Sequence, residues 1–95
     1  MFTWLNKQGV RSDRGFEVQF TGRFDAEYRE GGKVVQLYVE AGLSGGQQCI
    51  IVEPGAFARW SDGESIASER QEQMLKNFKE AMEFQGLKTV VEAGE

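Results

Sequence analysis

The chain has 95 residues, of which 40% are hydrophobic and 12% aromatic, with 11 basic and 15 acidic residues and a formal net charge of −4. This length fits a single domain over residues 1–95 with one modest core, and the composition excludes a disordered chain. The acidic balance disfavours nucleic acid as a partner, and no stretch approaches the ~20 apolar residues of a membrane span. The chain has no histidine and one cysteine, Cys49, so zinc, haem and histidine-dependent catalysis lose their usual ligands and bases. We therefore expect that the protein binds no metal and no cofactor and is not an enzyme.

The first half of the chain shows strand patterns. Phe2, Trp4 and Leu5 indicate an edge strand, and the polar residues 6–14 indicate a turn or loop. Over residues 16–28 the even positions are apolar or small and the odd positions are polar, which is typical of strands with one buried face. The run is about twice a usual strand length, so Gly22 predicts a bulge, a bend or a turn between two strands.

Gly31 and Gly32 predict a two-residue hairpin turn, because a type I′ turn needs positive φ at both central positions. This turn sets a register that can be tested. It places Glu30 opposite Lys33, Tyr28 opposite Val35, Ala26 opposite Leu37 and Phe24 opposite Val39. The apolar partners then share one face of the sheet, and an opposite-charge pair closes the tip.

The glycine-rich residues 41–48 predict a flexible hairpin loop; they lack the lysine of a phosphate-binding loop. Residues 49–52 predict a short apolar strand ended by Pro54 and Gly55. Residues 56–60 fit either a strand or irregular structure, and residues 61–64 indicate a turn.

A long amphipathic helix is predicted over residues 68–85. Ser68 and Gln71 have the spacing of a capping box at its start, and Gly86 can end it in a left-handed conformation. The apolar stripe suits core packing, although such a stripe can also fill a partner's groove. The residues of this stripe are Met74, Leu75, Phe78, Ala81 and Met82.

After the helix, a last strand is predicted over residues 87–92.

The predicted fold is α+β: an antiparallel sheet of about five to six strands, with the helix packed on one face and a final strand after it.

Candidate functional residues are few. Cys49 lies in an apolar strand, which favours a buried inert thiol over a nucleophile. Trp60 follows Arg59 between strand and helix, where it is either a lid on the core or an exposed anchor for a partner. Scattered carboxylates such as Glu40 lack the spacing of a metal loop. We predict that a partner is contacted by Glu53, Arg59, Trp60, Asp62 and Glu64.

From about Tyr28 onward the chain resembles a group of small immunity proteins from bacterial polymorphic toxin systems. The resemblance rests on short motifs in a fixed order. These are Tyr28 with Glu30, Gly31 and Gly32; Val39-Glu40 or Val52-Glu53; Arg59-Trp60; Glu64, Ser65 and Ile66; and a helix with Arg70 and Asn77 that ends in Phe84-Gln85-Gly86. Where that pattern has a proline-containing segment after the tryptophan, this chain has Ser61, Asp62 and Gly63. The resemblance implies a cytoplasmic, non-enzymatic protein that binds and neutralises a co-encoded toxin.

The charge of the chain is compatible with such a role, because the clefts of nuclease toxins are basic. A lone cysteine also fits a reducing cytoplasm. The alternative is a small structural or accessory subunit of a larger assembly that pairs through an exposed strand edge. The sequence leaves the oligomeric state open.

Overall fold

The computed structural model describes residues 1–92 and has the predicted α+β fold: a curled, seven-stranded sheet with one helix packed on it. The strands follow one another across the sheet in chain order. The elements are β1 (Phe2–Asn6), β2 (Gly9–Ser12), β3 (Phe16–Phe20), β4 (Asp25–Glu30), β5 (Lys33–Ser44), β6 (Gln47–Val52), α1 (Ser68–Phe84) and β7 (Lys88–Val91). None of the helical structure in this part of the chain is both long and apolar enough to cross a membrane.

The sheet differs from the prediction in strand number and in one pairing direction. Strand β2 lies within the segment predicted as a turn or loop; its Val10 is buried and pairs with Trp4 on β1 and Val18 on β3. Strands β1 to β6 are antiparallel, whereas β7 runs parallel to β6. A parallel neighbour requires a crossover connection, and helix α1 lies in that connection.

The alternating run over residues 16–28 forms two strands, β3 and β4, and the predicted break at Gly22 is confirmed. The residues 22–24 form the bend between them. The alternation fails at Phe24, which it assigns to the buried face. The side chain of Phe24 is 44% exposed and its ring lies 6.3 Å from that of Tyr38. Phe24 precedes the first residue of β4, so the pleat of the strand does not set its direction.

The β4–β5 hairpin has the predicted turn and register. Gly31 and Gly32 have φ values of 60° and 79°, as a type I′ turn requires. Tyr28 pairs with Val35 and Ala26 with Leu37. The backbone pairing continues to the bend, where Val39 N–H donates to the carbonyl of Phe24 at 2.8 Å.

The segment 41–48 is not the flexible loop that its glycines predict. Strand β5 continues to Ser44 and pairs with β6 around a two-residue turn at Gly45 and Gly46, which have φ values of 58° and 82°. Gly42 lies inside β5, where an added Cβ would meet Ile51 Cδ1 at 3.3 Å. A larger residue at this position would require the end of the Ile51 side chain to move by a few tenths of an ångström.

Helix α1 ends as predicted but starts differently. Ala67 is the N-cap, no side chain caps the helix, and Ser68 is already helical, so the predicted capping box is wrong. Gln71 instead donates from its side chain to the carbonyl of Ile66 at 2.7 Å. Ile66 is buried, which holds the chain to the core just before the first turn.

At the other end of α1, Gly86 has φ 81°. Its N–H donates to Glu83 O, and Leu87 N–H donates to Met82 O. These two bonds form a Schellman motif, in which a left-handed glycine satisfies the last carbonyls of a helix.

The apolar stripe of α1 packs into the core, as expected. Met74, Phe78, Ala81 and Met82 are fully buried, whereas Leu75 is partly buried at the margin. A chain of aromatic contacts links the sheet to the helix. Phe16 stacks on Tyr28 at 5.4 Å, Tyr28 meets the edge of Phe57 at 5.5 Å, and Phe57 meets Phe78 at 6.0 Å.

Candidate partner-binding surface

The segment 53–66 connects β6 to the helix and carries all five predicted partner-binding residues. It is fixed to the sheet, since Ser61 N–H donates to Val34 O on β5 at 2.7 Å. Internal bonds narrow it into a small hairpin-like turn: Trp60 N–H donates to Glu64 O and Ile66 N–H donates to Ala58 O, both at 2.9 Å. The segment is irregular apart from one bridge between Arg59 and Ser65.

Four of the predicted residues, Arg59, Trp60, Asp62 and Glu64, lie together on this turn. Arg59 is exposed and its guanidinium donates to the carbonyl of Gly63 at 3.2 Å. Asp62 and Glu64 are also exposed, and Asp62 Oδ1 accepts the N–H of Glu64 at 2.8 Å. The turn therefore presents a tryptophan, one guanidinium and two carboxylates within a few residues.

Lys33, which the sequence did not single out, sits among these groups. Its ammonium pairs with the carboxylate of Glu64, lies 3.7 Å from Asp62, and lies 5.7 Å from the centre of the Trp60 ring. The hydrogen bond to Glu64 raises the pKa of Lys33 above its ordinary value. Because these charges are exposed and screened, their pairing adds little stability. It does partly neutralise the two carboxylates that we predicted to face a partner.

Trp60 is half-buried and packs against the core cluster, which matches the lid alternative, while part of the ring remains at the surface. Glu53 lies apart from the other four. It is exposed at the end of β6 and lines a shallow groove with Phe57 and Leu75. The structure thus groups four of the five predicted residues, and their role in binding a partner stays a prediction.

A buried polar network joins the helix to the β4–β5 hairpin, and the sequence did not predict it. Asn77, 6% exposed, donates to the hydroxyl of Tyr28 at 2.9 Å, and that hydroxyl donates to Glu30 at 2.6 Å. Glu30 in turn pairs with Arg70 on the helix. Burial raises the pKa of the Tyr28 hydroxyl, with an opposing effect of the Asn77 hydrogen bond. A tyrosine held protonated in this way serves as a fixed hydrogen-bonding group that positions α1.

Two groups of aromatic rings remain exposed at the surface. The first is the pair Phe24 and Tyr38, 44% and 55% exposed. The second joins β1 to the end of α1: Phe84 lies 5.4 Å from Phe2 and 5.6 Å from Trp4. Among these residues Trp4 and Phe84 are about half exposed. A strand pattern alone does not find such groups, since each group combines rings from separate segments of the chain.

Within residues 1–92, no group of three or more His, Cys, Asp or Glu side chains is arranged to hold a metal ion. Cys49 is buried with a free thiol, as the apolar strand predicts. The chain was compared with family models, curated proteins and solved structures, and none of these comparisons found a match.

Proposed function

We propose that this domain works by binding a protein partner rather than by catalysis, and that the partner is a co-encoded bacterial toxin. The observation that carries the binding proposal is that aromatic rings contact one another at the surface. They are exposed although the domain already has a buried hydrophobic core. Tyr38 and Phe24 are exposed on one side, and Trp4 and Phe84 on another. Aromatic residues are enriched at the energetic centres of protein interfaces, and clustered exposed rings mark interaction sites.

The toxin assignment rests on the resemblance to immunity proteins, with the acidic charge in support. A net charge of −4 favours encounter with a basic surface, such as the cleft of a nuclease. The proposed contact region is the turn with Arg59, Trp60, Asp62 and Glu64, together with Glu53, which precedes the turn in the chain. The two exposed aromatic groups are separate from these residues. As an immunity protein, the domain would act in the cytoplasm, where the toxin would otherwise reach its target.

The experiment is to express the product of the gene directly upstream, with and without this protein, and to measure growth and complex formation. We expect the upstream product to inhibit growth alone, and this protein to restore growth and to form a stable complex with it. Lack of inhibition by the upstream product, or inhibition that persists when both proteins are present, would refute the immunity proposal.

The alternative function is that of a small accessory subunit of a larger assembly. One observation favours it: β1 and β7 are the end strands of the sheet, so each has one edge without a strand neighbour within the described chain. The Trp4–Phe84 contact lies beside the β1 edge. A subunit that docks at this edge would lose its partner in a Trp4→Ala variant, whereas a toxin bound at the 53–66 turn would not.

A further inference from the structure

The outer face of the sheet, which points away from the helix, carries an aromatic pair that the proposed contact region does not include. On β5 the buried residues Val35, Leu37 and Val39 alternate with Gln36, Tyr38 and Glu40, so Tyr38 and Glu40 lie on the outer face. Phe24 joins them there, because its ring lies 6.3 Å from that of Tyr38.

Two carboxylates flank this pair. Asp25 is directly opposite Tyr38 in the β4–β5 register, and Glu40 accepts a long hydrogen bond from the Tyr38 hydroxyl at 3.5 Å. Both are exposed, and among residues 1–92 neither takes part in an ion pair. They differ in this respect from the outer-face carboxylates Glu17 and Glu27, which are held by Arg11 and Arg29.

One cation already lies against the pair. The guanidinium carbon of Arg23 is 5.4 Å from the centre of the Phe24 ring, within the usual range of a cation–π contact. This contact shows that the Phe24 ring accepts a guanidinium at its face. Arg23 forms no ion pair with Asp25 or Glu40 among the described residues.

We propose that Phe24, Tyr38, Asp25 and Glu40 together form a docking site for a cationic side chain, arginine by preference, of a partner protein. The rings provide π faces, and the two carboxylates provide charge and hydrogen-bond acceptors that suit a guanidinium. Charge complementarity selects this occupant: the site has two carboxylates against the single guanidinium of Arg23. An acidic or purely apolar partner segment would leave both carboxylates uncompensated.

This inference goes beyond the proposed function, because it specifies the chemistry of the contacting group whether or not the partner is a toxin. Glu53 is not part of this site, since it lines the groove with Phe57 and the helix residue Leu75.

The test uses the whole protein, labelled for nuclear magnetic resonance, and a short peptide of alternating arginine and glycine at low salt. We expect saturable shifts concentrated at residues 23–25 and 38–40. The Tyr38→Ala variant should weaken the affinity roughly fivefold, the loss of one cation–π contact, while Tyr38→Phe keeps the ring and the affinity. The same peptide with glutamate in place of arginine should not bind.

Two further variants sharpen the result. Arg23→Ala removes an internal competitor and a like charge, so it should tighten binding by about twofold to fivefold. Leu43→Ala is the matched control, since Leu43 is also on β5 and is 76% exposed but lies outside the site. The inference is wrong if the peptide shows no saturable binding, if the shifts centre on Asp62 and Glu64, or if Leu43→Ala weakens binding as much as Tyr38→Ala. Absence of a toxin complex would leave these readouts unaffected, so the two proposals fail separately.

Discussion

The side chain of Asn77 donates a hydrogen bond to the hydroxyl of Tyr28 at 2.9 Å, and this buried contact joins helix α1 to strand β4. The hydroxyl also donates to Glu30 at 2.6 Å, so it is satisfied on both sides. Such a network gives the helix a defined orientation on the sheet, which apolar contacts alone specify less sharply.

Removing the hydroxyl should therefore cost stability. We expect Tyr28→Phe to lower the free energy of unfolding by about 1–3 kcal/mol, because the buried amide of Asn77 loses its acceptor. Asn77→Leu should cost less, since the Tyr28 hydroxyl keeps Glu30 as its partner. Urea denaturation of both variants and of the double variant measures the coupling, and additive costs would show that the hydrogen bond contributes nothing.

The alkaline titration of Tyr28 offers a second test. Its pKa is raised above the ordinary value of 10.0, mainly by burial. A raised folded-state pKa gives stability that is fully present below pH 10 and is lost as pH rises through the folded-state pKa. In Tyr38→Phe, where Tyr28 is the remaining tyrosine, tyrosinate absorbance should appear only above pH 10, in step with unfolding. Ionisation below pH 10 in the folded protein would contradict the buried network.

Phe78 is the central side chain between helix and sheet, with no exposed surface. We expect Phe78→Ala to cost on the order of 3–5 kcal/mol through lost burial and the cavity it leaves. Leu43→Ala, at an exposed position, should change stability by no more than about 0.5 kcal/mol. A denaturation midpoint shared by the two variants would overturn this account of the core.

The turn at Gly31 and Gly32 requires positive φ at both residues. Valine at either position should cost about 1–3 kcal/mol, because β-branched side chains are strained in that conformation. Gly55→Ala is the matched control, since Gly55 has no positive φ and open space around it. The three variants can be compared by thermal unfolding. If Gly55→Ala loses as much stability as the two valine variants, positive φ is not the cause of the loss.

The proposed toxin interface predicts separate effects on the two rate constants. Trp60→Ala should speed dissociation, because it removes an anchor ring. Asp62→Asn with Glu64→Gln should mainly slow association and reduce its salt dependence, because it removes two charges that steer a basic partner. Stopped-flow kinetics with the upstream gene product at two ionic strengths measures both. Full affinity in the triple variant would place the interface elsewhere, with the Tyr38 site as the next region to test.

Much of the fold could be predicted from the sequence, because the deciding interactions are local. Alternation over residues 16–28 requires that one face of each strand be buried, and a pair of glycines at 31–32 permits only a few turns. Together they determined the register of Tyr28 against Val35. The helix, with its apolar stripe and its glycine stop at Gly86, followed from the same kind of local pattern.

The candidate site was less accessible to this reasoning. The position of Trp60 between strand and helix indicates the turn, but nothing in its neighbours indicates Lys33. Lys33 is remote in sequence and meets Glu64 where the backbone N–H of Ser61 holds the turn to Val34 on β5. The alternation of residues 16–28 predicts that Phe24 is buried, whereas the bend before β4 leaves its side chain exposed.

By itself, then, the sequence determined the helix with its buried stripe, the two strands within residues 16–30 and the β4–β5 register, since periodicity and turn chemistry act over a few residues. It did not reveal strand β2 or the continuation of β5 to Ser44, because their pairing partners lie in other segments. Only the tertiary structure decided that β7 runs parallel to β6 and that the helix starts after Ala67 without a side-chain cap. It alone placed Asn77 under Tyr28 and the Phe24 ring beside Tyr38. Each of these features depends on contacts between segments that are distant in sequence. Packing in the shared hydrophobic core determines those contacts, and local conformational preferences do not.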